Sequence, residues 1–217
     1  MIENMKLLVV GLVLFTLSAV MTFPFPNRYP LGETIAMQLD IPATYNGLHF
    51  VNIAAILLFI ISLFFLTRSL KRYHKRVVVL AIVVIVFVPT MLVSAYQHTI
   101  ATGVHAVNYE QEWSSCVLEM VGESTMDGEC ELPFENYSND KVQFTVELYE
   151  DIPEGETPMV SLMNNGEPYE VELMPHERKI VKINKEIDVS NTANHIEWGQ
   201  AWEVDVIIKS GEMNREL

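Results

Sequence analysis

The side chains best suited to chemistry are three histidines and two carboxylates at the margins of long apolar runs. His49 sits at the start of the second run and His98 just past the third, with His105 seven residues later. Glu33 and Asp40 lie in the segment before His49. Imidazole and carboxylate together suit several transition metals. No His-x-x-x-His or comparable local spacing accompanies them, so the sequence assigns no metal ligand, no cofactor and no catalytic residue. Interfacial histidines that mark the ends of spans are the simpler reading. A second concentration of acid, Glu147, Glu150, Asp151, Glu154 and Glu156, surrounds a Pro/Gly turn but lacks the Asp-x-Asp-x-Asp-Gly order of a calcium loop. Ser114 and Ser115 have no Gly-x-Ser-x-Gly context, and no Gly-rich loop is present to cradle a phosphate. The expectation is a protein that is not an enzyme.

Three further patterns concern recognition and stability. Trp113, Trp198, Trp202, Tyr149 and Tyr169 could line a sugar or peptide groove, although aromatic residues of a small sandwich more often belong to its core or edge. Asn136-Tyr-Ser138 has the pattern of a glycosylation acceptor. The two cysteines, Cys116 and Cys130, are separated by thirteen residues. That spacing is not Cys-x-x-Cys, so a redox-active pair is poorly supported. A structural disulfide is expected if this part of the chain faces an oxidising compartment.

The elements that must position these residues fall into two halves. Leu7–Phe23, Phe50–Leu66 and Val77–Tyr96 contain no Asp, Glu, Lys or Arg and run for 17 to 20 residues, about the length a helix needs to cross a bilayer. The expectation is a three-helix transmembrane domain over residues 1–100. Its helices carry no ionisable group, which argues against transport by this chain alone. Gly11, Thr16 and Ser18 would admit a second helix at close range. Pro89 should kink or loosen the third run. Gly32–Leu39 reads as a short interfacial helix, and Asn46-Gly47 as a turn.

Charge sets the threading. Residues 67–76 hold Arg68, Lys71, Arg72, Lys75 and Arg76, whereas the loop 24–49 holds Arg28 alone. Short loops rich in Lys and Arg stay cytoplasmic. The N-terminus and loop 67–76 are therefore expected inside, loop 24–49 outside, and the C-terminal half outside. The first run is long for a signal-peptide core and lacks a small-x-small cleavage site at its end, so it reads as a retained helix. Residues 1–100 carry seven Lys/Arg and three acids, a net +4; residues 101–217 carry seven and 25, a net −18. So acidic a domain disfavours nucleic acid as a partner.

Residues 106–217 are patterned as strands. Val142–Leu148, Tyr169–Leu173, Lys179–Ile183 and Trp202–Ile208 alternate apolar and polar, and Cys116–Val121 and Cys130–Phe134 read as strands too. Met159–Met163 and Tyr169–Leu173 flank Asn165-Gly166, a hairpin signal. About seven short strands fit an extracytoplasmic antiparallel sandwich. Phe134–Leu148 and Leu173–Ile183, each a polar or Pro-x-Glu turn leading into an alternating strand, resemble the immunoglobulin-like modules of bacterial envelope proteins. The resemblance covers about half of this domain and implies the fold only. The expected function is an accessory or regulatory subunit of an envelope complex, held in the lipid bilayer and presenting the sandwich to an envelope protein partner. The alternative is a module that senses or captures a cation, a cationic peptide or an envelope glycan. A third possibility, a membrane enzyme using His49 and His98, rests on those two side chains alone.

Overall fold

The computed structural model describes residues 2–27, 29–39, 41, 44–45, 48–150, 159–164, 166, 168–190 and 197–217. The chain divides into two units, Met1–Ala95 and Tyr96–Leu217.

The first unit is built on helices. Asn4 starts α1 (Met5–Met21), its Oδ1 accepting from the backbone N–H groups of Lys6 and Leu7 at 3.1 and 3.3 Å. Such a cap satisfies donors that the first helical turn leaves open. α1 runs antiparallel to α3 (Phe50–Arg68). Near one end, Gly11 lies against Leu66, so close that a Cβ there would sit 2.9 Å from the Leu66 Cγ. Near the other, the buried Ser18 hydroxyl donates to the Ala55 carbonyl at 2.8 Å. The small residues that could have received another protein's helix are thus used within the chain. Thr16 bonds only the Leu12 carbonyl of its own helix. The N–H groups of Glu3 and Asn4 both reach the Ser69 carbonyl, tying the start of α1 to the end of α3.

The expected short helix is present as α2 (Leu31–Gln38). Gly32 presses on the Met21 carbonyl and on Val51, so α2 lies across the end of α1 and the beginning of α3. Two-residue strands β1 (Thr44–Tyr45) and β2 (Leu48–His49) pair antiparallel just before α3; the Asn46-Gly47 turn lies outside the described residues. α4 (His74–Thr99) is helical throughout, with Pro89 inside it and the Thr90 hydroxyl donating to the Phe87 carbonyl at 2.9 Å. By length and composition α3 and α4 are each able to cross a membrane, and α1 is a shorter apolar helix of 17 residues.

The second unit is an antiparallel β domain of two sheets. One has the order β11 (Met213–Glu216), β10 (Asp205–Ser210), β6 (Val142–Tyr149), β7 (Tyr169–Leu173). The other is organised on the long β5 (Thr125–Asn136). β8 (Arg178–Asp188) pairs along one side of it. On the other side lie β3 (Val107–Tyr109) and β4 (Ser115–Met120), and β9 (Trp198–Trp202) pairs with β4. Alternation puts Val142, Phe144, Val146 and Leu148 of one sheet, and Met126, Cys130, Leu132 and Phe134 of the other, into a single buried cluster.

Among the described residues of this unit nine strands thus stand where about seven were expected. Trp202–Ile208, expected as one strand, is split into β9 and β10 at Glu203, whose φ is +54°. Met159–Met163 is not a strand: Val160–Asn164 is a turn of 3₁₀ helix. The reason is local. The Asn164 side chain exchanges two hydrogen bonds with the Leu148 backbone, at 2.9 and 2.6 Å, as a paired strand residue would. The Glu150 carboxylate takes the N–H groups of Met159 and Ser161. Met163 then seats on Gly128, where a Cβ would meet its sulfur at 2.2 Å.

The last turn of α4 belongs to the β domain. Gln97 donates to the His105 and Val107 carbonyls at 3.3 and 3.4 Å, and His98 stacks on Tyr137 with ring centroids 4.0 Å apart. Arg215 of β11 is buried and donates to the Val104 and Val107 carbonyls, both at 2.8 Å. Burial lowers its pKa to about 10, so it remains a cation at neutral pH.

Candidate functional site

Strand alternation gives the five-stranded sheet an outer face as well as a core face. Because Cys116, Leu118 and Ala201 point inward, Trp198, Gln200 and Trp202 of β9 and Ser115, Val117 and Glu119 of β4 point outward. Asp127, Glu129 and Glu131 of β5 continue that face, as do Lys182, Asn184 and Glu186 of β8. Register then lays these residues out in rows. One row reads Trp198, Glu119, Asp127, Glu186; the next Gln200, Val117, Glu129, Asn184; the third Trp202, Ser115, Glu131, Lys182.

The third row is balanced, since Lys182 bonds Glu131 at 2.5 Å and that bond raises the Lys182 pKa. The first row is not. Glu119, Asp127 and Glu186 are exposed carboxylates on three adjacent strands, each opposite the next, an arrangement that destabilises a sheet. At its end stands Trp198, 61% exposed, with Trp202 at 66% on the same strand. Trp113, 74% exposed, lies two residues before Ser115, the register partner of Trp202. All three tryptophans of the chain are therefore on the surface. Tyr149 is partly exposed, whereas Tyr169 packs on the core with its hydroxyl donating to the Met163 carbonyl.

The edge beside these tryptophans is open among the described residues. The Met120 N–H donates to the Glu197 carbonyl. Antiparallel ladders alternate, so Gly199 and Ala201 also turn their backbone groups toward β4. Trp198, Gln200 and Trp202 turn theirs away. β9 and the three-residue β3 carry no charged side chain, whereas β7, β8 and β11, which end the sheets elsewhere, all do. Charge is the usual protection of an edge strand.

The metal-type residues of the sequence are brought together only in part. Glu33, 1% exposed, accepts from His49 Nδ1 at 2.9 Å; His49 is the residue that starts α3. Asp40 lies outside the described residues. His98 and His105 belong to the β domain, where His98 stacks on Tyr137 and His105 is held below the usual imidazole range by burial and, second, by the Arg215 guanidinium. Among the described residues no group of three or more His, Cys, Asp or Glu is arranged to hold a metal ion. Of the acidic cluster, Glu147 pairs with Lys209 and Glu150 holds the 3₁₀ turn; Asp151, Glu154 and Glu156 lie outside the described residues.

Cys116 and Cys130 face each other across β4 and β5 with Cα atoms 4.1 Å apart, and their sulfurs are bonded. Since Cys116 turns its backbone groups toward Ala201, the two cysteines form a non-hydrogen-bonded pair, the closer of the two antiparallel kinds. Ser114 is buried and structural: its hydroxyl donates to the Gln111 carbonyl and accepts from the Val204 N–H. Asn136 is buried too, in the hydrogen bonds described below. The sequence named the tryptophans as groove candidates. It could not show the row of opposed carboxylates, because register is a tertiary property. Compared with protein-family models, curated proteins and solved structures, the chain matches none.

Proposed function

We propose that this chain is a multi-pass protein of the cytoplasmic membrane whose β domain, an immunoglobulin-like sandwich, serves outside the cell as an interaction module for another envelope protein. The observation that carries the reading is the outer face of the five-stranded sheet. Its exposed tryptophans beside unbalanced carboxylates are what a recognition surface offers, since aromatic residues contribute most of the energy at interfaces. Exposed apolar surface of this kind marks interaction sites.

Three spans are supported by how α1 lies on α3. Ala55, Ser62 and Leu66 of α3 are buried, and Gly11 and Ser18 of α1 lie at the two ends of that stripe. Cleaving α1 away would uncover it. Export of the β domain is favoured by the basic loop 67–76 and by the Cys116–Cys130 bond, which suits an oxidising compartment. Among the described residues no catalytic constellation competes: Ser114 is occupied in the fold, and His49 and His98 serve separate local roles.

The test is affinity purification of the full-length chain from gently solubilised native membranes, beside a variant truncated after Thr99. A stoichiometric membrane or envelope protein that accompanies the first and not the second is expected. A partner retained equally by both would remove the role of the β domain.

A further inference from the structure

Resting on that reading, we propose that the β9 edge receives an extended, basic segment of the partner protein as an added strand. Its Arg or Lys side chains would lie along Trp198 and Trp202 and reach the carboxylate row that begins at Glu119.

Three observations converge. First, the backbone groups of Trp198, Gln200 and Trp202 face outward from an edge strand without charge, the template that strand addition requires. Second, the side chains flanking that edge are two exposed indoles. A cation over an indole face is attracted by the ring quadrupole, and an arginine also stacks its plane there. Third, β4 is one strand spacing further, about 4.8 Å, so a long basic side chain on the added strand reaches Glu119. It also lowers the repulsion that runs on to Asp127 and Glu186. The binding face therefore carries an electrostatic stress that this ligand relieves.

Charge separates this occupant from the others. A second copy pairing edge to edge would bring together two domains of net −18 each. A neutral glycan would leave both the backbone edge and the carboxylate row unanswered. A lipid surface fits poorly as well. Anionic headgroups would repel the face.

The experiment uses the full-length chain in nanodiscs of neutral lipid. Because the chain's only tryptophans are exposed on this domain, their emission reports the site directly. The probes are a short peptide alternating Arg with Thr, its Glu-for-Arg analogue, and a neutral oligosaccharide. The Arg peptide should shift the emission to the blue and saturate, and raising salt from roughly 0.05 to 0.5 M should weaken it about tenfold or more. The Glu analogue and the sugar should do nothing.

Two variants separate the parts. Gln200→Pro removes an outward N–H and leaves the β4 ladder intact, a position where an edge strand tolerates proline. The triple Glu119→Gln, Asp127→Asn, Glu186→Gln neutralises the row. Each should weaken the peptide about tenfold or more, with the far-ultraviolet circular dichroism unchanged. Binding that survives Gln200→Pro in the folded protein overturns strand addition. Equal response to the Glu analogue, response to the sugar alone, or dimers that form without peptide and dissociate with Gln200→Pro overturns the basic partner. If these fail while a stoichiometric protein still co-purifies through the β domain, this inference falls and the proposed function stands.

Discussion

The side chain of Asn136 is wholly buried and both its polar atoms are used. Nδ2 donates to the Asp140 and Met174 carbonyls at 2.8 and 3.0 Å, and Oδ1 accepts from the Ser138 N–H and hydroxyl at 3.0 and 2.8 Å. It pins the turn after β5 to the end of β7. The acceptor pattern for glycosylation is thus spent on folding, and the amide is out of reach once folded. Asn136→Ala strands the buried Ser138 N–H and removes the donor to the Met174 carbonyl, at about 1–3 kcal/mol for a buried group so stranded. A loss of about 2–4 kcal/mol is expected, read by hydrogen exchange of β5 in the full-length chain. A change below about 0.5 kcal/mol, the scale of an ordinary surface substitution, would show that these bonds are dispensable. His105 makes a prediction of opposite character. Burial and Arg215 lower its pKa in the folded chain, while the unfolded imidazole titrates near 6.5. Below about pH 6.5 the unfolded state therefore holds more protons than the native one, and stability falls as the pH drops toward the folded value. His105→Gln should flatten that decline between about pH 7.5 and 5.5 in thermal melts relative to the native chain; an unchanged slope counts against it.

At the scale of elements, the β4–β5 pair is held by its ladder and by the Cys116–Cys130 bond. Closing a loop of this length removes about 3 kcal/mol of freedom from the unfolded chain on the entropy model. Replacing both cysteines by alanine should cost about that much plus a small cavity term, since both side chains are fully buried in the core. Denaturant titration followed by circular dichroism measures it, and an unchanged midpoint would mean that the bond adds nothing to stability. The elements also show where a sequence can be read and where it cannot. Val142–Leu148 and Tyr169–Leu173 were legible because strict alternation has one physical meaning, a half-buried strand. Met159–Met163 is equally apolar, but its backbone bonds the Glu150 carboxylate, and the Asn164 side chain takes the Leu148 backbone in place of a strand, which no periodicity announces. β9 and β10 read as one strand because the left-handed residue between them is a glutamate, not the glycine that would have marked a break. β3 and β11 are three and four residues long, too short to establish a period. For the candidate site, the tryptophans were visible and the two facts that give them meaning, an open edge and opposed carboxylates, were not.

At the scale of the whole molecule, charge is the property that connects sequence to place. A half with net +4 holds the apolar helices, and five of its seven cations fall within residues 67–76, between α3 and α4. Cationic loops resist translocation, so in the proposed topology this one loop would set the direction of the spans. On that proposal it would also set the side on which a domain of net −18 emerges, away from the anionic cytoplasmic headgroups. The arrangement is testable without knowing the partner. Both native cysteines are bonded, so a single new cysteine reports its own side. Lys71→Cys, in the basic loop, should resist a membrane-impermeant maleimide in intact cells and react after permeabilisation. Glu212→Cys, in the exposed turn between β10 and β11, should react at once. Neutralising Arg68, Lys71, Arg72, Lys75 and Arg76 together should then produce a mixed population in which the Glu212→Cys reporter is partly protected. Labelling of Lys71→Cys from outside in the native background would reverse the topology. It would also place the acidic face against the cytoplasm, where an envelope partner could not reach it.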